Sequence, residues 1–135
     1  MAESLALVVG HTLFQGFRKF SPTESWTPSI NVYQLRDRLE VAVDLAGIHR
    51  HELDVRVEVG RLLVRGVRHA PEPPTCEEDR EGCEGQAMRI LTMEIDYGPF
   101  SRSIAIPDHV DLRKVASEYR EGVLWITLPL AAPPR

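Results

Sequence analysis

No stretch of this 135-residue chain approaches the roughly eighteen consecutive apolar residues of a membrane span. The apolar run Leu5 to Val9 is too short for the core of a secretory leader, and no basic residue precedes it. A cytoplasmic protein is therefore expected. Cysteine is scarce: Cys76 and Cys83 are the only two, too few for a disulfide framework. They read as ordinary thiols, with a redox pair or a metal pair with His69 as the alternative, although six intervening residues fit no common zinc spacing. Positive charge is not in excess. A net charge of −4 gives no basic footprint for nucleic acid.

Catalytic signatures are missing as well. No serine stands in a Gly-x-Ser-x-Gly elbow, and no glycine cluster leads into Lys-Ser/Thr to cradle a phosphate. His49 and His51 are two residues apart beside Glu52, a spacing that puts both rings on one face if the backbone is extended. A third ligand at recognisable spacing is absent, so solvated loop imidazoles are expected instead of a metal centre. No enzyme, cofactor or metal is expected.

What the chain does contain is alternation. Leu39, Val41, Val43 and Leu45 alternate with Glu40, Ala42 and Asp44, and Leu53, Val55, Val57 and Val59 with Asp54, Arg56 and Glu58. Gly60-Arg61 is a tight turn into residues 62–68. Phe100, Ile104 and Ile106 share one face of a further strand, and Leu124, Ile126 and Leu128 share a face after the Arg120-Glu121-Gly122 turn. Ile30 and Val32 make a short strand ending near Tyr33. Period-two segments with hairpin punctuation and no interior helix predict an all-β sandwich.

Two regions break the rhythm. Residues 1–25 show no alternation, but Phe14, Phe17 and Phe20 recur every third residue, a stripe suited to a short helix that Ser21-Pro22 would end. This segment is either a partly disordered tail docked on the domain or an apolar arm that joins subunits and captures other chains. Residues 70–87 hold prolines, both cysteines and a run of acids, and read as a solvated loop. Residues 88–95 follow as a candidate strand, with Met88 and Ile90 opposite Leu91 and Met93. A long insertion in a small domain is usually functional or intermolecular.

The order of these elements resembles the α-crystallin domain of the small heat shock proteins. Gly98, Phe100, Arg102, Ile104, Ile106 and Pro107 are similar to that family's Gly-x-Phe-x-Arg run. Gly122, Val123, Leu124, Ile126, Leu128 and Pro129 are similar to its closing Gly-Val-Leu-x-Ile run. Asp44-Leu45-Ala46-Gly47 resembles its Asp-Leu-Pro-Gly turn, and residues 62–66 its Leu-x-Ile-x-Gly strand. The resemblance covers residues 26–129 and implies an immunoglobulin-like β-sandwich domain, 26–130, between a short arm, 1–25, and a very short tail, 131–135.

The same resemblance implies an ATP-independent holdase that binds partly unfolded proteins. It implies a homodimer in which Arg89, Ile90, Leu91 and Met93 cross to Ile30, Val32 and Tyr33 of the partner subunit, with Arg102 near the interface. Clients or tails would dock on the arm phenylalanines and in a groove bordered by Leu53, Val55, Val57, Val115 and Tyr119. A related co-chaperone-like adaptor that docks a folded partner is the alternative. Three departures stand out: Ser117 replaces a usual alanine, Ile95 an arginine of the crossing segment, and no Ile-x-Ile tail follows Leu128-Pro129-Leu130. A dimer or small oligomer is expected, with no nucleic acid or membrane partner.

Overall fold

A computed structural model of the protein describes residues 3–4, 8–9, 26–73 and 89–132. Among the described residues, nine strands follow one another: β1 (Glu3–Ser4), β2 (Val8–Val9), β3 (Ile30–Gln34), β4 (Arg38–Asp44), β5 (Leu53–Glu58), β6 (Arg61–Arg68), β7 (Gly98–Ala105), β8 (Ala116–Arg120) and β9 (Val123–Pro129). They form two sheets, one ordered β1-β8-β9-β4-β3 and the other β2-β5-β6-β7. Every pairing is antiparallel except β2 with β5. The expected all-β sandwich is the observed architecture.

Alternation positions the core. On β4, Leu39, Val41 and Val43 point inward, and the β9 residues opposite them, Leu128, Ile126 and Leu124, do the same. Val55, Val57, Leu62, Val64 and Phe100 close the core from the second sheet. Each such side chain contributes about 1.5–3 kcal/mol when fully buried. The outward face of the first sheet is polar and cross-linked: the Thr127 hydroxyl bonds the Glu40 carboxylate at 3.0 Å, and Arg38 Nε donates to the same carboxylate at 2.9 Å.

Two turns explain their residues. Glu121 and Gly122 both have positive φ, 50° and 79°, which is the backbone of a two-residue hairpin matched to the twist of β8 and β9. Gly66 is required for a different reason. A Cβ there would lie 2.5 Å from the Glu52 carbonyl oxygen and 2.8 Å from the Phe100 ring, so β6 admits no side chain at its crossing with Phe100.

In the amino-terminal region, Glu3–Ser4 and Val8–Val9 are strands on the two sheets, which the sequence reading did not expect. The stripe of Phe14, Phe17 and Phe20 lies outside the described residues, as do Met88, Cys76 and Cys83.

Candidate functional site

The sandwich has two lateral edges. One is made by β3 of the first sheet and β7 of the second. The other is made by β8 and β5, each bordered by a two-residue strand, β1 or β2.

At the β3 edge, sequence and environment disagree. Val32 pairs with Val41 on β4, and Val41 is wholly buried, yet Val32 is 48% exposed. Tyr33 and Leu35 are also exposed. The Tyr33 ring stacks on Trp125 with 6.4 Å between centroids, which fixes its orientation on the outer face. Nothing in the described chain hydrogen-bonds along the free side of this strand.

A second apolar surface lies in residues 89–97, which form no strand within the chain. The intramolecular version of the strand expected at 88–95 is thus not what is observed in the described residues. Ile90, Leu91, Met93, Ile95 and Tyr97 are all exposed. With Pro71 and Pro73, residues 89–95 line an open cleft of about 620 Å³. Among the described residues, eight of the nine exposed large hydrophobic side chains belong to β3, the residue following it, or this excursion; Val59 is the ninth. Isolated exposed apolar residues are ordinary, whereas clustering of this kind marks an interaction surface.

The base of the excursion is anchored by residues that sequence reading did not single out. Arg68 Nε donates to the Asp96 carbonyl at 2.8 Å, and its guanidinium lies 4.0 Å from the centroid of the Trp26 ring. Trp26 donates its indole N–H to the Gly98 carbonyl at 2.9 Å and meets Phe100 at 5.0 Å. The sequence signal was present in Trp26, a large aromatic just ahead of the first long strand. Its use needed the return of β7 from 72 residues away. Arg102 donates to the Pro28 carbonyl at 3.1 Å, tying β7 to the approach of β3.

At the other edge, the five groove residues separate. Val55 and Val57 are buried in the core at 1% and 0% exposure, so they offer no free surface. Leu53, Val115 and Tyr119 are half-buried and pack against that core from the rim. The Tyr119 hydroxyl donates to the Leu45 carbonyl at 2.7 Å and so fixes β8 to the end of β4.

The histidines show no shared chemistry. His49 and His51 stack with 5.4 Å between ring centroids, while the Glu52 carboxylate turns to His69, its Oε1 hydrogen-bonded to Nε2 at 2.9 Å. That hydrogen bond holds the Glu52 carboxyl below its ordinary value. Among the described residues, no group of three His, Cys, Asp or Glu side chains converges. No helix among them is long and apolar enough to cross a membrane.

A sandwich with one bare edge and an apolar excursion defines a class of protein, and the comparisons name it. The Hsp20/alpha crystallin family model matches residues 31–135, most of the chain. Heat shock protein 16 of Schizosaccharomyces pombe is 29% identical over 87% of this chain and 80% of its own length. The 18 kDa antigen 1 of Mycobacterium avium is 32% identical over 82% of this chain and 66% of its own. A small heat-shock protein from Xylella fastidiosa, described as having a distinct high order structure, superposes with a TM-score of 0.62 at 26% identity, over 82% of this chain and 94% of that one. The chain belongs to the Hsp20/alpha crystallin family, the small heat shock proteins. Its work is that of a small heat shock chaperone.

Proposed function

We propose that this protein is an ATP-independent holdase of the cytoplasm, without catalytic activity, that works as a strand-exchanged homodimer. The clustering of exposed apolar side chains on β3 and on residues 90–97 carries this reading. The two surfaces have what the other lacks. β3 is an edge with unpaired backbone groups and uncovered side chains, and the excursion is apolar chain with no strand partner. A second copy satisfies both at once: Arg89–Ile95 of one subunit adds to Ile30–Tyr33 of the other, and symmetry repeats the exchange. Pairing of this kind also removes an edge that would otherwise recruit chains without selection.

Clients are partly unfolded proteins, which expose apolar segments and unpaired backbone of their own. The half-buried rim residues Leu53, Val115 and Tyr119, with the phenylalanines at 14, 17 and 20, are the proposed contact points. Contacts of this sort are weak singly and gain strength across a dimer or a small oligomer. The long excursion favours this reading over a co-chaperone-like adaptor, which has no use for an exchanged arm.

The test is suppression of client aggregation, followed by light scattering without nucleotide, alongside solution mass. Suppression at equimolar subunit and a mass of two or a few subunits are expected. A monomer at micromolar concentration, or no suppression at several-fold subunit excess, would refute the proposal.

A further inference from the structure

β6 and β7 form a hairpin whose two strands stop together, although the chain beyond them could continue the ladder. Their register pairs Arg61 with Ala105 at one end and Arg68 with Gly98 at the other. Beyond that last pair, residues 69–73 leave and 89–97 return, and neither limb forms a strand among the described residues. They face each other across the open cleft of about 620 Å³ lined by Pro71, Pro73 and residues 89–95. Such an arrangement needs a cause. The two limbs are tethered, and a flexible tether holds its ends at a millimolar effective concentration. A second copy at micromolar concentration would lose to this self-pairing by about a thousandfold.

Continuing the observed register supplies the cause. It sets Pro71 opposite Ile95, Glu72 opposite Glu94 and Pro73 opposite Met93, with Pro74 next opposite Thr92. A proline has no N–H to give to a ladder and is excluded from the interior of a sheet. Successive residues of a strand direct their N–H groups to opposite sides, so either Pro73 or Pro74 would meet the return limb without a donor, whichever way the pleat runs. At the intervening position, Glu72 and Glu94 would set like charges directly across the pair, which is destabilising. The return limb is also turned off the ladder line at its root. Gly98 has a φ of 104°, a conformation that L side chains rarely adopt. Arg68 takes the carbonyl of Asp96, the residue that the ladder would set opposite Ala70.

We propose that Pro71, Glu72, Pro73 and Pro74 act as a guard that stops the excursion from pairing with itself, and so keeps residues 89–95 for the β3 edge of a second copy. The guard works on specificity: it raises the cost of the partner in cis and adds nothing to the partner in trans. It also accounts for Ile90, Leu91, Met93 and Ile95 standing exposed beside a limb of their own hairpin. The competition with a second copy rests on the strand exchange proposed above, whereas the block on self-pairing does not.

The experiment compares the full chain with a variant carrying Pro71→Thr, Pro73→Thr and Pro74→Thr, and with Glu72→Lys alone. Amide exchange at residues 89–95 is read across a dilution series, alongside the dimer dissociation constant by analytical ultracentrifugation. In the proline variant these amides should gain roughly tenfold or more protection that persists at the lowest concentration, because the new partner is in cis. The dissociation constant should rise by the same factor, since only the unzipped fraction is competent to exchange. Glu72→Lys should shift both in the same direction by roughly two- to fivefold, and by less in high salt. It serves alone if the proline variant precipitates. A damaged fold would lose protection at 89–95, so a gain separates the guard from a structural role.

No concentration-independent protection in either variant would overturn the guard. A dimer tightened by removing the prolines would overturn it too, because the segment would then hinder exchange. An unaltered chain that stays monomeric, or a zipped variant whose dimer is unchanged, would overturn the strand exchange and leave the guard standing.

Discussion

The two lateral edges of this sandwich handle one liability in opposite ways. At the β5/β8 edge the chain covers itself: residues 3–4 and 8–9 pair with the rims, and Val55 and Val57 behind them are sealed in the core. At the β3 edge the strand is left uncovered, and Val32 stays half open although its cross-strand partner Val41 is fully buried. The difference shows that exposure of an edge is not a failure of folding. One edge is closed by local chain, whereas the other is left open, and the apolar excursion that we propose pairs with it is anchored at its base by Arg68 and Trp26.

The largest expected effect falls on what the two edges share. Phe100 is 1% exposed and packs between Trp26 and Gly66. Phe100→Ala should cost about 3–5 kcal/mol of unfolding free energy in urea titrations and weaken both edges together. A loss under 1 kcal/mol would mean the core does not depend on this ring. The next effect should separate the edges. Ile90→Asp with Met93→Asp places carboxylates where an apolar strand pairs, and burying unpaired charge is expensive. The dimer dissociation constant should rise at least about a hundredfold by analytical ultracentrifugation, while the melting temperature of the monomer stays put. A dimer of unchanged strength would show that the excursion is not the exchanged element.

The third prediction probes the covered edge. Tyr119→Phe removes the hydrogen bond to the Leu45 carbonyl and should cost about 0.5–1.5 kcal/mol of stability with no change in dimer affinity. Weakened dimerisation instead would break the contrast between the edges. The smallest effect is one of pH. The Arg113 amide donates to the Asp111 carboxylate at 3.1 Å, and this bond, more than any other cause, lowers the carboxyl from its ordinary 3.8. With the folded value depressed, the contribution is complete above the unfolded value and is lost as pH falls through the folded one. An NMR titration of the Asp111 carboxyl carbon should therefore show a midpoint below 3.8, and a midpoint at or above it would contradict this role of the Arg113 amide.

Much of this was legible in the residues. Strands β4, β5, β7 and β9 announce themselves by alternation, because one face of each meets the opposite sheet and the other meets water or a polar ladder. The Glu121-Gly122 turn was equally plain, since few residues tolerate two successive positive φ values. Less legible was the state of the groove valines. Val55 and Val57 alternate like Leu53, but alternation does not say how far from the rim a residue lies. The amino-terminal strands were invisible for a stronger reason, as two residues have no period.

By itself, then, the sequence determined the all-β class, the inward and outward faces, the family and the break in alternation at residues 70–87, because each of these depends on side-chain order along a local backbone. Tertiary structure alone decided which edges are covered and which are open, and that Arg68, Trp26 and Asp96 meet at the base of the excursion. Such outcomes depend on which distant strands become neighbours, and a backbone edge carries the same hydrogen-bonding groups whatever residues lie along it.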